Sequence, residues 1–177
     1  MKGKIISLRA PEPSDIDILY EWENDPAVWR VSNSNAPYSR YDIEQFVLTA
    51  NHDIFAVRQL RLMITDNEKN QEPVGTIDLF DFDPLHRRAG IGILITGNER
   101  GKGYATDALT RLCDYCFNTL NLHQLYCHIT PDNKASLHLF KKAGFEINGT
   151  CKDWTWWDNQ WNDAYFMQLI TSKISIP

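Results

Sequence analysis

Apolar residues recur along this chain with two periods, and the changes between them mark out the elements. Lys4 to Arg9 reads as a first strand, stopped by Pro11 and Pro13. Ser14 is placed as an N-cap, with Asp15 and Asp17 in the first helical turn. Ile16, Leu19, Tyr20 and Glu23 follow at helical spacing until Asn24-Asp25-Pro26 ends the helix. Val28 to Pro37, with Trp29 and Arg30 in it, reads as polar and irregular. Ser39, with Asp42 at the capping-box position, opens a second helix with an apolar face of Ile43, Phe46, Val47 and Ala50. Ile54–Val57 and Arg61–Thr65 are expected as a hairpin or a bulged pair of strands, and Asp66 to Gln71 as a charged turn. Val74 to Phe82 alternates as a strand until Asp83-Pro84, and Arg88 to Thr96 is an apolar strand.

The second half begins with an amphipathic helix over Tyr104 to Leu120. Ala105, Ala108, Leu109, Leu112 and Cys116 share one face; Asp107, Arg111 and Asp114 share another. Gln124–Thr130 reads as a strand. Ala135, Leu137, Leu139 and Phe140 belong to a short helix that Gly144 closes. Phe145–Thr150, Asp153–Trp157 and Asp163–Ile170 complete the strands, with a hairpin turn at Asp158-Asn159-Gln160. The predicted fold class is α/β: one domain over 1–170, a mixed and mostly antiparallel sheet flanked by helices, and a loose tail over 171–177.

Composition narrows the function classes. The chain has 177 residues, 43% hydrophobic and 23% charged, the range of a single globular domain. A net charge of −5 disfavours nucleic acid as the main partner and permits a cationic substrate. Cys113, Cys116, Cys127 and Cys151 have no metal-site pattern; Cys113 and Cys116 lie inside the predicted helix and read as buried thiols, and no metal is expected. No signal peptide and no apolar run of membrane length occurs, so a cytoplasmic location is expected and no membrane partner. A homodimer is compatible with these features.

The chemistry centres on Arg100-Gly101-Lys102-Gly103-Tyr104-Ala105. An apolar strand precedes it and the amphipathic helix follows. Glycines there allow φ > 0, and the open N–H groups of the helix's first turn, aided by its dipole, can hold phosphate. A tight turn without ligand is the plain alternative. There is no P-loop Gly-Lys-Ser/Thr and no third glycine of a dinucleotide fingerprint.

Arg100, Gly103 and Ala105 match the Arg/Gln-x-x-Gly-x-Gly/Ala signature of the GNAT N-acetyltransferases, which the chain resembles over nearly its whole length. The resemblance is closest to the branch of ribosomal-protein N-terminal acetyltransferases and spermidine N-acetyltransferases. His86-Arg87-Arg88, Asn133-x-x-Ser136, Lys142-x-Gly144-Phe145 and the terminal hairpin support it. It implies acetyl-CoA as co-substrate and direct transfer of the acetyl group to a primary amine, carried by a polyamine-like small molecule or a protein N-terminus.

The resemblance also implies a sheet splayed between Ile91–Thr96 and Gln124–Thr130. The backbone of Ile93, Leu94 and Ile95 would pair with pantetheine, and Arg100, Gly101, Lys102, Gly103, Tyr104, Ala105 and Thr106 would hold the pyrophosphate. Asn133 and Ser136 match positions that touch the pantetheine arm, although Asn133 can equally cap the short helix. Two positions depart from the family pattern: Phe140 stands where many relatives carry the tyrosine acid, and Gly90 where relatives often carry a glutamate. Ser136 is then the candidate acid, and Asp78 the first candidate base ahead of His86 and His128; an exposed strand aspartate is the plain reading of Asp78. These departures keep an alternative open, a catalytically inactive acyl-CoA-binding sensor or interaction protein. Trp154, Trp156, Trp157 and Trp161 crowd the hairpin, and Asp78, Asp81, Asp83, Asp153 and Asp158 would make a groove over these strands acidic.

Overall fold

A computed structural model describes residues 1–32, 36–49 and 53–171. Its strands are β1 (Ile6–Arg9), β2 (Leu60–Asp66), β3 (Pro73–Asp83), β4 (Arg88–Ile95), β5 (Gln124–Ile129), β6 (Glu146–Trp157) and β7 (Gln160–Ile170). Its helices are α1 (Ile16–Glu23), α2 (Pro26–Ser32), α3 (Arg40–Leu48), α4 (Ile54–Val57), α5 (Tyr104–Asn118) and α6 (Lys134–Lys142). The strands form one 7-stranded sheet in the order β1-β2-β3-β4-β5-β7-β6. Only β4 and β5 run parallel; every other neighbouring pair is antiparallel. The expected α/β class with a mixed, mostly antiparallel sheet is what the chain adopts.

Each face of the sheet buries its own set of side chains. On one face, Ala108, Leu109, Leu112 and Cys116 of α5 pack with Leu62, Ile64, Ile77, Leu79, Ile91 and Leu125. The alternation of β2 sends Met63 to the other face, where it meets Leu19 of α1 and Ile43 and Val47 of α3. The cysteines behave as expected for buried thiols: burial pushes Cys113 and Cys127 up to about 12.

Local chemistry explains where the helices start. The Ser39 hydroxyl accepts from the Asp42 N–H at 3.1 Å, and Asp42 returns a bond from the Ser39 N–H, the expected capping box. Ser14 caps nothing; it lies within a 3₁₀ turn over Pro13–Asp15. Asp15 is buried instead, accepting from Arg9 at 2.6 and 2.8 Å and from the Glu12 N–H at 2.7 Å.

Two further expectations fail. Ile54–Val57 is a helical turn, not a strand. Asp53 accepts from the Phe55 N–H at 3.0 Å, and Arg58 closes the turn in the left-handed region. A short apolar run carries no period that separates the two states. Pro26–Ser32 is helical where irregular chain was expected. Asp25 accepts from the Ala27 N–H at 2.9 Å and Pro26 takes the first helical position, so one tripeptide ends α1 and begins α2. Ala50, assigned to the face of the second helix, and the tail beyond Thr171 lie outside the described residues.

Candidate active site

β4 and β5 pair only at Arg88–Gln124, Ala89–Leu125 and Gly90–Tyr126, and separate beyond that point. The Thr96 N–H bonds to the Val74 carbonyl at 3.1 Å. Alternation along an antiparallel pair then turns the backbone groups of Leu94 and Gly92 to β3. Those of Ile91, Ile93 and Ile95 turn to the opening. The Ile95 carbonyl accepts from Arg100 Nε at 3.0 Å, which leaves Ile93 with both its groups facing the gap. Of the three residues expected to offer backbone to the split, Ile93 turns both groups to it, Ile95 one, and Leu94 neither.

At the end of β4 the chain turns into α5. Gly101 and Gly103 have φ +80 and +90, and Gly103 stands at the N-cap with no side-chain cap. The first helical bond runs from the Asp107 N–H to the Gly103 carbonyl. The N–H groups of Tyr104, Ala105 and Thr106 therefore have no partner among the described residues. Nothing lies within 4 Å of a Cβ built on Gly101. Open donors, a helix N-terminus of 15 residues and the adjoining split edge fit a pyrophosphate joined to a pantetheine arm. The cradle is held from behind: the Tyr104 hydroxyl donates to Asp66, and Glu99 accepts from Lys69 and Lys102 at 3.0 Å each.

The face of the sheet opposite α5 carries a trough. Cross-strand neighbours share a face, so Arg61, Asp78 and Gly92 form one row, and Phe80, Gly90 and Tyr126 the next. Arg61 lies between Asp78, bonded at 2.7 and 3.4 Å, and Glu23 of α1, and sits over the Phe46 ring at 5.4 Å. Burial alone would lower the Arg61 pKa; the two carboxylates outweigh it and hold Arg61 charged. Asp78 is thus half-buried and paired rather than a free strand carboxylate.

Phe80 accounts for the glycine at position 90. A Cβ there would stand 2.2 Å from Phe80 Cε2. The ring covers Gly90 and meets Tyr126 edge-on at 6.0 Å. Tyr126, His128, Phe166 and Trp154 continue this aromatic wall. Below it a cleft of about 520 Å³ is lined by Arg58, Asp81, Phe82, Asp83, Arg88, Gln124, Tyr126, Phe166 and Gln168. The Tyr126 hydroxyl donates to Asp81 at 3.3 Å, while Asp83 pairs with Arg88 at 3.4 Å.

Asn133 caps α6, accepting from the Ser136 N–H at 3.1 Å. Ser136 is half-buried, and its hydroxyl makes no hydrogen bond among the described residues. Phe140 is buried in the core against Phe145, ring centres 5.0 Å apart, and offers no acid. His86 lies exposed in the β3–β4 turn. Trp156, Trp157 and Trp161 are exposed on the hairpin, and only Trp154 joins the trough wall. Sequence reasoning missed the aromatic wall and the Glu23–Arg61–Asp78 link. For the wall, the two-residue spacing of Tyr126 and His128, which puts both on one face of β5, was the available signal.

Comparison with known proteins agrees with this geometry. Residues 6–146 match the family described as Acetyltransferase (GNAT) domain. A spermidine N(1)-acetyltransferase of Vibrio cholerae is 28% identical over 169 residues, 95% of this chain and 94% of that protein. The Escherichia coli enzyme of that name is 29% identical, over 93% and 86%. The crystal structure of spermidine N-acetyltransferase from Vibrio cholerae in complex with CoA and spermine superposes with a TM-score of 0.83 at 27% identity, covering 95% of this chain and 96% of that one. The chain belongs to the GNAT acetyltransferase family and is an acetyl-CoA-dependent N-acetyltransferase.

Proposed function

We propose that the acetyl acceptor is a cationic primary amine of the polyamine class, bound in the trough on the sheet face opposite α5. The observation that carries this reading is the pairing of charge and aromatic surface beside the split. The Glu23–Arg61–Asp78 group has two carboxylates for one guanidinium. Beyond Phe80, which covers Gly90, stand Tyr126, Phe166 and Trp154, whose faces attract an ammonium. The named activity of the relatives points the same way.

Acetyl-CoA supplies an activated thioester. The residues of this chain do the rest. The first-turn N–H groups of α5 and the Lys102 and Arg100 cations hold the pyrophosphate, and Ile93 holds the arm in the split. Asn133 fixes the first turn of α6 and so places Ser136, which we assign as proton donor to the leaving thiolate. Asp78 attracts the incoming ammonium; both its oxygens accept from Arg61, so we assign it to charge rather than to proton transfer.

The test is thiol release from acetyl-CoA with a panel of amines, including spermidine, spermine, neutral monoamines and N-terminal peptides. Polyamines are expected to give the highest kcat/KM. A peptide N-terminus giving the highest value would replace this reading.

A further inference from the structure

We propose that His128 is the proton acceptor for the attacking amine, a catalytic role that this chain assigns to an imidazole on β5. The inference rests on the trough described above and deepens that reading.

The position is set by register. Gly90–Tyr126 is the last pair between β4 and β5. Two residues further along each strand stand Gly92 and His128, facing one another across the opening. His128 pairs with Phe166 of β7, so its side chain lies on the trough face. Gly92 brings no side chain toward the imidazole, and the neighbouring Phe80 ring of β3, which covers Gly90, forms the apolar edge of the space in which a bound amine meets it.

The ring is held without using its nitrogens. It stacks on Trp154 of β6 at 5.0 Å and 19°, and packs against Phe166 at 5.2 Å and Tyr126 at 6.0 Å. A bulge between Cys151 and Thr155, with Asp153 at φ 50, directs Trp154 onto it. Among the described residues the imidazole makes no hydrogen bond, so a nitrogen lone pair is free.

Three further observations favour His128 over the alternatives. The space of a carboxylate at position 90 is filled by Phe80. Asp78 is engaged by Arg61. Burial lowers the His128 pKa, which favours the neutral imidazole, the form that can accept a proton. The titratable group facing it from its own strand is Tyr126, whose phenol is pushed up to about 12 and stays neutral; the carboxylate beyond is Asp81, on the Tyr126 hydroxyl. From β6 and β7 it is faced by Trp154 and Phe166, which do not titrate.

The balance is simple. The bound ammonium first gives one proton to solvent. The neutral amine nitrogen then forms the C–N bond to the acyl carbon, the C–S bond breaks with its electron pair on sulfur, and the proton left on the attacking nitrogen passes to His128. The imidazolium returns that proton to water, and the thiolate takes one from solvent, directly or through Ser136, whose hydroxyl is reprotonated by solvent.

The experiment uses the whole chain. NMR of the His128 Cε1–H in the free protein should give a pKa below the ordinary imidazole value of about 6.5. The kcat/KM of the best amine should fall on the acid side with that same pKa. His128→Phe keeps the stack on Trp154 and removes the acceptor; His128→Gln keeps polarity if the phenylalanine variant fails to fold. Either should lower kcat by about 10² or more, lose the acid limb, and leave the CoA-induced rise in Tm unchanged. A variant kcat within about two-fold of wild type, an acid limb that persists, or a His128 that titrates above about 7 would overturn the assignment. The acceptor class is judged separately, on which amines wild type uses.

Discussion

Phe80 occupies the space into which a side chain at position 90 would grow, and that contact leaves no room for a carboxylate there without moving the ring. Gly90→Glu forces the ring aside and should cost about 1–3 kcal/mol in overpacking. The double variant with Phe80→Ala should recover part of it, as a shared contact requires. Urea denaturation of both reads the difference; equal loss in the single and double variants would detach Gly90 from Phe80. Ser136 is tested by Ser136→Ala. As the acid, its loss should lower kcat about ten-fold, roughly 1.4 kcal/mol, with KM for acetyl-CoA nearly kept. A change confined to KM would make Ser136 a residue that only holds the pantetheine arm. What the sequence made legible at this scale was the glycine turn, because φ > 0 and an uncapped helix start leave a mark in residue type. Asp78 was singled out on its strand, but its partner Arg61 lies across a strand pair and Glu23 on a helix far off in the chain, a contact that no local pattern encodes.

Elements were legible where the period was long and capped. The 15-residue α5 and the alternating β3 follow from pattern alone, whereas α4 and α2 depended on an Asp cap and a Pro start that compete with strand and loop readings. The splay was expected only through the family resemblance; nothing local in β4 announces that pairing with β5 stops at Gly90. The joint between β1 and α1 gives a pH test. Burial would raise the Asp15 pKa, but the paired Arg9 guanidinium and the Glu12 N–H outweigh it and leave it below the ordinary carboxylate value. A depressed folded pKa means the stabilisation is full above the unfolded value of about 3.9 and is lost as pH falls through the folded one. Asp15→Asn should therefore lower stability by about 1–3 kcal/mol at pH 7, with the gap to wild type closing below about pH 4. Equal gaps in urea midpoint at both pH values would show that the clamp works by shape rather than charge.

At the scale of the whole molecule, an acidic chain of net charge −5 meets two ligands of opposite sign. We place the anionic one at the far end of the split, where Lys69, Arg100 and Lys102 gather around the α5 N-terminus. On the proposed reading the cationic one is received on the face where Glu23, Asp78 and Asp81 lie. Separating the two by the thickness of the sheet lets each field act on its own ligand, and both fields are screened over about 8–10 Å at physiological salt. For a polyamine acceptor, KM should therefore rise with ionic strength while kcat holds, since salt weakens attraction equally in ground and transition states. A neutral monoamine should show little salt dependence. Asp78→Asn keeps the shape and removes one charge, so it should raise the polyamine KM most at low salt and leave kcat near wild type. If instead the variant loses kcat at neutral pH and regains part of it at high pH, where free amine is abundant, Asp78 is taking the proton despite Arg61. Wild-type kinetics in that variant at every salt concentration would remove the acidic trough as the basis of acceptor choice.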